Sequence, residues 1–140
     1  MELNRRKLLA IGMAALGATS MGVTQALASL TEEGIAAFTG GAETTAGDLS
    51  IGAPEIAENG NTVPIEVTAP GAVAVAVFAD GNPVPAVATF KFGPLAGARF
   101  ASTRIRLATT QNVVAVAQME DGSFQLATSE VKVTIGGCGG

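Results

Sequence analysis

From Asp48 to Ile135 the chain is a succession of short runs of Val, Ile, Thr and Ala, cut at intervals by Pro, Gly, Asn and Asp. Residues branched at Cβ favour extended backbone, whereas the interrupting residues supply the dihedral angles that tight turns need. The pattern predicts strands at 49–51, 63–68, 72–78, 86–92, 102–107, 113–119 and 130–135. Turns fall at Asn59-Gly60-Asn61, Pro70-Gly71, Asp80-Gly81-Asn82-Pro83, Gly93-Pro94 and Asp121-Gly122. About seven short strands so spaced predict an all-β fold, an immunoglobulin-like β-sandwich.

Alternation within the runs assigns faces. In 130–135, Val131, Val133 and Ile135 share one face and Glu130, Lys132 and Thr134 the other, so this strand has one wet face. The run 72–78 is apolar on both faces, with Val73, Val75 and Val77 on one and Ala72, Ala74, Ala76 and Phe78 on the other. Such a strand needs a covering layer on each side: the opposite sheet, and then a loop, an N-terminal helix or a partner subunit. Thr31 followed by Glu32 and Glu33 reads as an N-cap with acids in the first turn, and Gly40-Gly41 reads as a stop after Phe38, which predicts a short helix between them.

The first 28 residues have the composition of an export signal rather than of a packed element. Arg5, Arg6 and Lys7 precede an apolar stretch from Leu8 to Val23, and Ala26-Leu27-Ala28 forms a small-x-small cleavage site before Ser29. Asn4-Arg5-Arg6-Lys7-Leu8-Leu9 carries the paired arginines of a twin-arginine signal, and Gly12, Gly17 and Gly22 dilute the apolar stretch as that route prefers. The expected organisation is therefore a signal peptide at 1–28, one carrier-sized domain at 29–135 and a C-terminal arm at 136–140, with export to the periplasm. The stretch is too short and too interrupted for a membrane anchor.

Residues 29–140 hold Lys91, Arg99, Arg104, Arg106 and Lys132 against eleven acids, a net charge of −6. An acidic surface of this kind argues against nucleic acid and anionic membrane as partners, because phosphate selects Lys/Arg-rich faces. His, Trp and Tyr are absent, which removes the commonest general base, the commonest metal ligand and most stacking platforms. One thiol without histidine does not make up a metal site, and no catalytic residue, metal or cofactor is expected.

What remains is the terminus Ile135-Gly136-Gly137-Cys138-Gly139-Gly140, where the final strand runs into the sole cysteine between two pairs of glycines. Gly136, Gly137, Gly139 and Gly140 give a slim, pliant arm that can enter a narrow opening in another protein. Five extended residues reach roughly 16–18 Å. An unpaired cysteine in an exported protein implies either bonding to another molecule or a reactive thiol. No base or cation lies beside Cys138 in sequence to hold it as thiolate, which disfavours a thiol enzyme. The residues leave open an attachment point for cargo, a disulfide between copies, or an incidental tail. Arg104 and Arg106 lie two apart in a predicted strand, so their side chains project from one face, roughly 6.6 Å apart along it. They fit an acidic patch of a partner, an anionic adduct on the arm, or a solvated strand face.

Several stretches resemble SoxY, the sulfur carrier family of the bacterial Sox thiosulfate-oxidising system. They are Pro54-Glu55-Ile56-Ala57-Glu58-Asn59-Gly60 with Val63-Pro64, Asn82-Pro83 with Pro85, Thr103-Arg104-Ile105-Arg106-Leu107-Ala108, and Val131-Lys132-Val133-Thr134-Ile135 running into Gly136-Gly137-Cys138-Gly139-Gly140. The resemblance covers essentially the whole chain after the signal, and the terminal motif matches without departure. It implies a periplasmic, non-catalytic protein of immunoglobulin-like fold in a heterodimer or larger assembly with a second small β-protein, the Z subunit. It further implies that Cys138 holds sulfur intermediates covalently and presents them to a haem-containing thiosulfate-coupling enzyme, a sulfate-releasing hydrolase and, in some systems, a sulfane dehydrogenase.

Overall fold

The structure is a computed structural model that describes residues 26–136. It is a β-sandwich with a helix laid on one outer face, in agreement with the predicted class. Helix α1 covers 26–39. The strands are β1 (Thr44–Thr45), β2 (Ser50–Gly52), β3 (Ile56–Asn59), β4 (Val63–Thr68), β5 (Ala72–Ala79), β6 (Ala86–Lys91), β7 (Phe100–Ile105), β8 (Gln111–Met119) and β9 (Phe124–Ile135). The larger sheet runs β1-β9-β8-β5-β6 with β3 also on β9, and the smaller runs β2-β4-β7.

All seven predicted strands are present, but nine strands are described and several limits move. The strand expected at 130–135 starts six residues earlier, since Phe124 to Val131 pairs continuously with β8. Two short strands escaped the sequence reading: β1 and β3 both lie parallel to β9, against its start and its end. A parallel pairing between segments so far apart in sequence leaves no turn signature to read. The strand predicted at 102–107 occupies Phe100–Ile105 instead, because its ladder ends where Val63 begins β4, opposite Ile105. Arg106 and Leu107 therefore start the following loop.

The helix also differs from expectation. Thr31 is not an N-cap: it lies buried inside α1 and donates its hydroxyl hydrogen bond back to the Leu27 carbonyl, 3.2 Å away. Ala26, Leu27 and Ala28 are favourable helix residues, so the helix continues through the expected cleavage position. The expected stop is found, one residue later than predicted. Gly40 and Gly41 adopt φ of 68° and 86°, and the Gly41 amide donates to the Ala36 carbonyl in a six-to-one closure that β-carbon-bearing residues make poorly.

The two-faced burial of β5 is explained by two covering layers. Val75 and Val77 pack inward with Val63, Ile65 and Val67 of the smaller sheet. On the other side Ala76 and Phe78 join Val114, Val116 and Phe124 beneath Ile35 and Phe38 of α1. The helix comes this close because residue 34 is glycine; a β-carbon there would lie 2.8 Å from the Phe78 ring. Phe38 meets Phe124 edge to face, centroids 6.1 Å apart.

Candidate functional site

The strand directions bring four segments to one end of the sandwich. β4 starts there opposite the end of β7, β5 ends opposite the start of β8, and Val131 of β9 stands opposite Gln111. The loops 60–62, 80–85 and 106–110 thus surround the point where the chain leaves β9. The residues beyond that point, Gly137, Cys138, Gly139 and Gly140, lie outside the described residues, as does nearly all of the expected signal peptide.

β9 outruns β8 at this end, and its last four residues are held by other means. The Lys132 amide donates to the Glu55 carbonyl at 2.9 Å, the Val133 amide to the Thr110 hydroxyl at 2.9 Å, and the Ile135 carbonyl accepts from the Gly60 amide at 2.7 Å. The predicted alternation holds, since Val131 is fully buried while Lys132 is exposed. Ile135 nonetheless has 66 % of its surface in solvent, because the strand has passed the edge of the core. Gly60 in turn accepts at its carbonyl from the Leu107 amide at 2.8 Å, which ties the 106–110 loop to the same point. Gly136 then passes so close to the Ala108 carbonyl that a β-carbon at 136 would collide with that oxygen. Packing, and not conformational freedom alone, thus calls for glycine at the base of the arm.

Asn82 fixes this loop from below. It is 1 % exposed; its side-chain NH2 donates to the Arg106 carbonyl at 2.7 Å, and its Oδ1 accepts from the Ala108 amide and from Gln111 Nε2, each at 2.9 Å. Gln111 also donates to the Thr109 carbonyl and accepts from the Gly81 amide. Asp80 accepts from both the backbone and the side chain of Asn112. No buried side-chain nitrogen or oxygen among the described residues lacks a partner. Sequence reasoning took Asn82 for a turn residue only. An Asn before Pro is a turn signal wherever it stands, and its buried contacts depend on a loop more than twenty residues away.

Arg104 and Arg106 are exposed on either side of buried Ile105, and both line one open hollow of about 300 Å3 with Asn82, Val84 and Val87. The structure therefore brings the predicted pair together, at the same end as the arm. Arg104 Nη1 lies 3.5 Å from the Thr62 hydroxyl. Among the described residues no cluster of His, Cys, Asp or Glu could hold a metal ion, and no helix is long and apolar enough to cross a membrane.

Comparison with known proteins bears on this end of the molecule. The family model for the sulfur oxidation protein SoxY matches residues 35–138, a span that closes on Cys138. The solved structure of the sulfur carrier protein SoxY from Chlorobium limicola f thiosulfatophilum is 38 % identical, covering 79 % of this chain and 98 % of that one with a TM-score of 0.69. A superoxide reductase (neelaredoxin) from Ignicoccus hospitalis matches at 15 % identity over 61 % of this chain and 78 % of its own, with a TM-score of 0.54; this likeness is one of fold alone. A search of curated proteins finds no match.

Proposed function

This chain belongs to the SoxY family of sulfur carriers, and on that premise we propose that Cys138 is the residue to which the sulfur cargo is covalently bound. The family gives the chain a sulfur-carrier role in Sox thiosulfate oxidation. In the proposed cycle the Cys138 thiol and thiosulfate are coupled by a haem-containing partner. A bond forms between Cys138 Sγ and the sulfane sulfur of thiosulfate, two electrons pass to the haem enzyme, and the thiol proton is released. Hydrolysis then breaks the terminal sulfur–sulfur bond, sulfate leaves, and a persulfide remains on Cys138 for a sulfane dehydrogenase or a further hydrolysis to remove. The work proposed for this chain is to hold and present; the reacting groups belong to its partners. The proposed setting is the periplasm, reached by twin-arginine export, with the Z subunit as the constant partner.

The observation that carries this reading is the anchoring of the last four residues of β9. Glu55, Thr110 and Gly60 fix their backbone after β8 has ended, so an arm starting at Gly136 leaves from a defined point on the body. A carrier that serves several enzymes needs such a rigid base with a slim tip, because partners dock on the body while the tip enters their active sites.

Intact-protein mass spectrometry on the chain from thiosulfate-grown cells tests the assignment. Sulfur adducts are expected on the wild-type protein and none on Cys138→Ser, which should abolish thiosulfate oxidation. A wild-type rate of oxidation in Cys138→Ser, or a cysteine found only in disulfide-linked copies, would overturn it.

A further inference from the structure

We propose that the hollow lined by Arg104 and Arg106 is a parking site for the chain's own arm, and that it binds the arm when Cys138 carries a sulfonate-terminated adduct. The inference rests on Cys138 being the attachment residue. It concerns where the loaded tip resides between enzymes.

The occupant follows from where the described chain ends. Gly136 lies against the Ala108 carbonyl, and Ala108 is two residues from Arg106 along the same loop. From Gly136 to Cys138 the extended chain spans about 7 Å, much the same as two extended residues from Ala108 back to Arg106. The adduct adds further length beyond Sγ. The arm tip is therefore a segment tethered within reach of the hollow, and its effective concentration there is high for that reason alone.

Charge and shape select the loaded form. The chain after the expected signal carries −6, yet two of its five cations line this hollow, and no carboxylate does. A sulfonate offers three oxygens on one sulfur, and two guanidinium groups can meet them with paired N–H donors. Val84, 65 % exposed, and Val87 supply an apolar wall against which divalent sulfur and glycine backbone can rest. The backbone between the arginines is not free to drift, since Asn82 holds the Arg106 carbonyl at 2.7 Å. An unloaded thiol offers the arginines no charge, so discharge of the cargo would free the arm. Loading would thus hold the labile adduct on the body until a partner displaces it.

The test uses the full mature chain, labelled with 15N and loaded chemically with tetrathionate. The Cys138 thiolate attacks a central sulfur of tetrathionate, a new sulfur–sulfur bond forms, and the central bond breaks. Thiosulfate leaves with the bonding pair, and Cys138 keeps a terminal sulfonate. Mass spectrometry verifies loading, and protein alkylated with iodoacetamide provides a neutral adduct with the same terminal carboxylate. The loaded protein should show displaced amide and guanidinium resonances at Val84, Val87, Arg104 and Arg106 that the alkylated protein lacks. Raising salt from about 0.01 M to about 1 M, which shortens the screening length from roughly 30 Å to roughly 3 Å, should return them toward their unloaded positions. In the Arg104→Ala/Arg106→Ala variant, loaded to the same extent, the displacements at Val84 and Val87 should be lost. Coincident spectra of loaded and alkylated protein at these residues, or displacements at Val84 and Val87 that survive the double substitution, would overturn the parking site. Adducts on Cys138 from cells would still stand in that case. Conversely, a Cys138→Ser strain that oxidises thiosulfate would sink the carrier assignment whatever these spectra show.

Discussion

The two ends of the sandwich are built on different principles. At the arm end, three loops and the end of β9 are joined through buried or half-buried side chains, with Asn82 and Gln111 bonding across segments distant in sequence. At the far end, the 93–99 connection, the 69–71 turn and the 120–123 turn are closed mostly by their own backbone and by exposed groups. Arg99 donates to the Gly93 carbonyl and pairs with Glu120 at 3.2 Å, but Glu120 stands largely in water and such pairs contribute about 0–1 kcal/mol. Leu95, at 97 % exposure, has no cover at all. Buried polar pairing costs desolvation and demands complete satisfaction, so it is found where position must be fixed and dispensed with where a turn merely reverses the chain.

Removing the amide at the centre of the arm end should break this contrast most. Asn82→Ala deletes three hydrogen bonds and strands the Arg106 carbonyl and the Ala108 amide, at about 1–3 kcal/mol for each unsatisfied buried group. Thermal unfolding should fall by on the order of 10 °C. A drop as small as that of an exposed far-end substitution would show the network to be ornamental.

Gly136→Val attacks the same end at its outlet. The new side chain must displace either the arm or the Ala108 carbonyl, and overpacking of this kind costs about 1–3 kcal/mol when the body absorbs it. The arm, tethered at one side only, is the cheaper part to move. Melting should therefore shift less than in Asn82→Ala, while enzymatic loading of Cys138, read by mass spectrometry over time, slows. Unchanged loading would show that the direction in which the arm leaves does not matter to the partners.

How much of this was legible in the sequence follows the range of the forces involved. Strands and turns are local, so the alternation in 130–135 and the turn at Asp121-Gly122 could be read directly. The terminal Gly-Gly-Cys-Gly-Gly was legible because composition alone sets it apart. The pairing of β3 with the end of β9, the bond from Thr110 to Val133 and the Asn82 network join segments that no sequence period relates. Thr31 misled for the opposite reason: its local N-cap signal is real, but Ala26, Leu27 and Ala28 extend the helix past it. The arginine pair was visible as a spacing, whereas the hollow it shares with Val84 required the fold.

The smallest expected effect lies at the far end and tests whether its turns are as self-contained as they look. Asp121 Oδ1 accepts from the Ser123 hydroxyl at 2.6 Å and from the Ser123 amide at 2.9 Å. These bonds, the hydroxyl first, hold its carboxyl below the ordinary value of 3.8. A carboxyl depressed in the folded state stabilises it above the unfolded pKa, and that contribution disappears as pH falls through the depressed value. Asp121→Asn keeps an acceptor oxygen in place and removes only the charge. Its melting temperature should lie slightly below wild type at pH 7, and the gap should close as the pH is taken below 3.8. Because the side chain is fully in water, the gap should be far smaller than that of Asn82→Ala, and 1 M salt should shrink it further. A gap that persists or widens in acid would mean that the turn depends on the shape of the side chain and not on its charge.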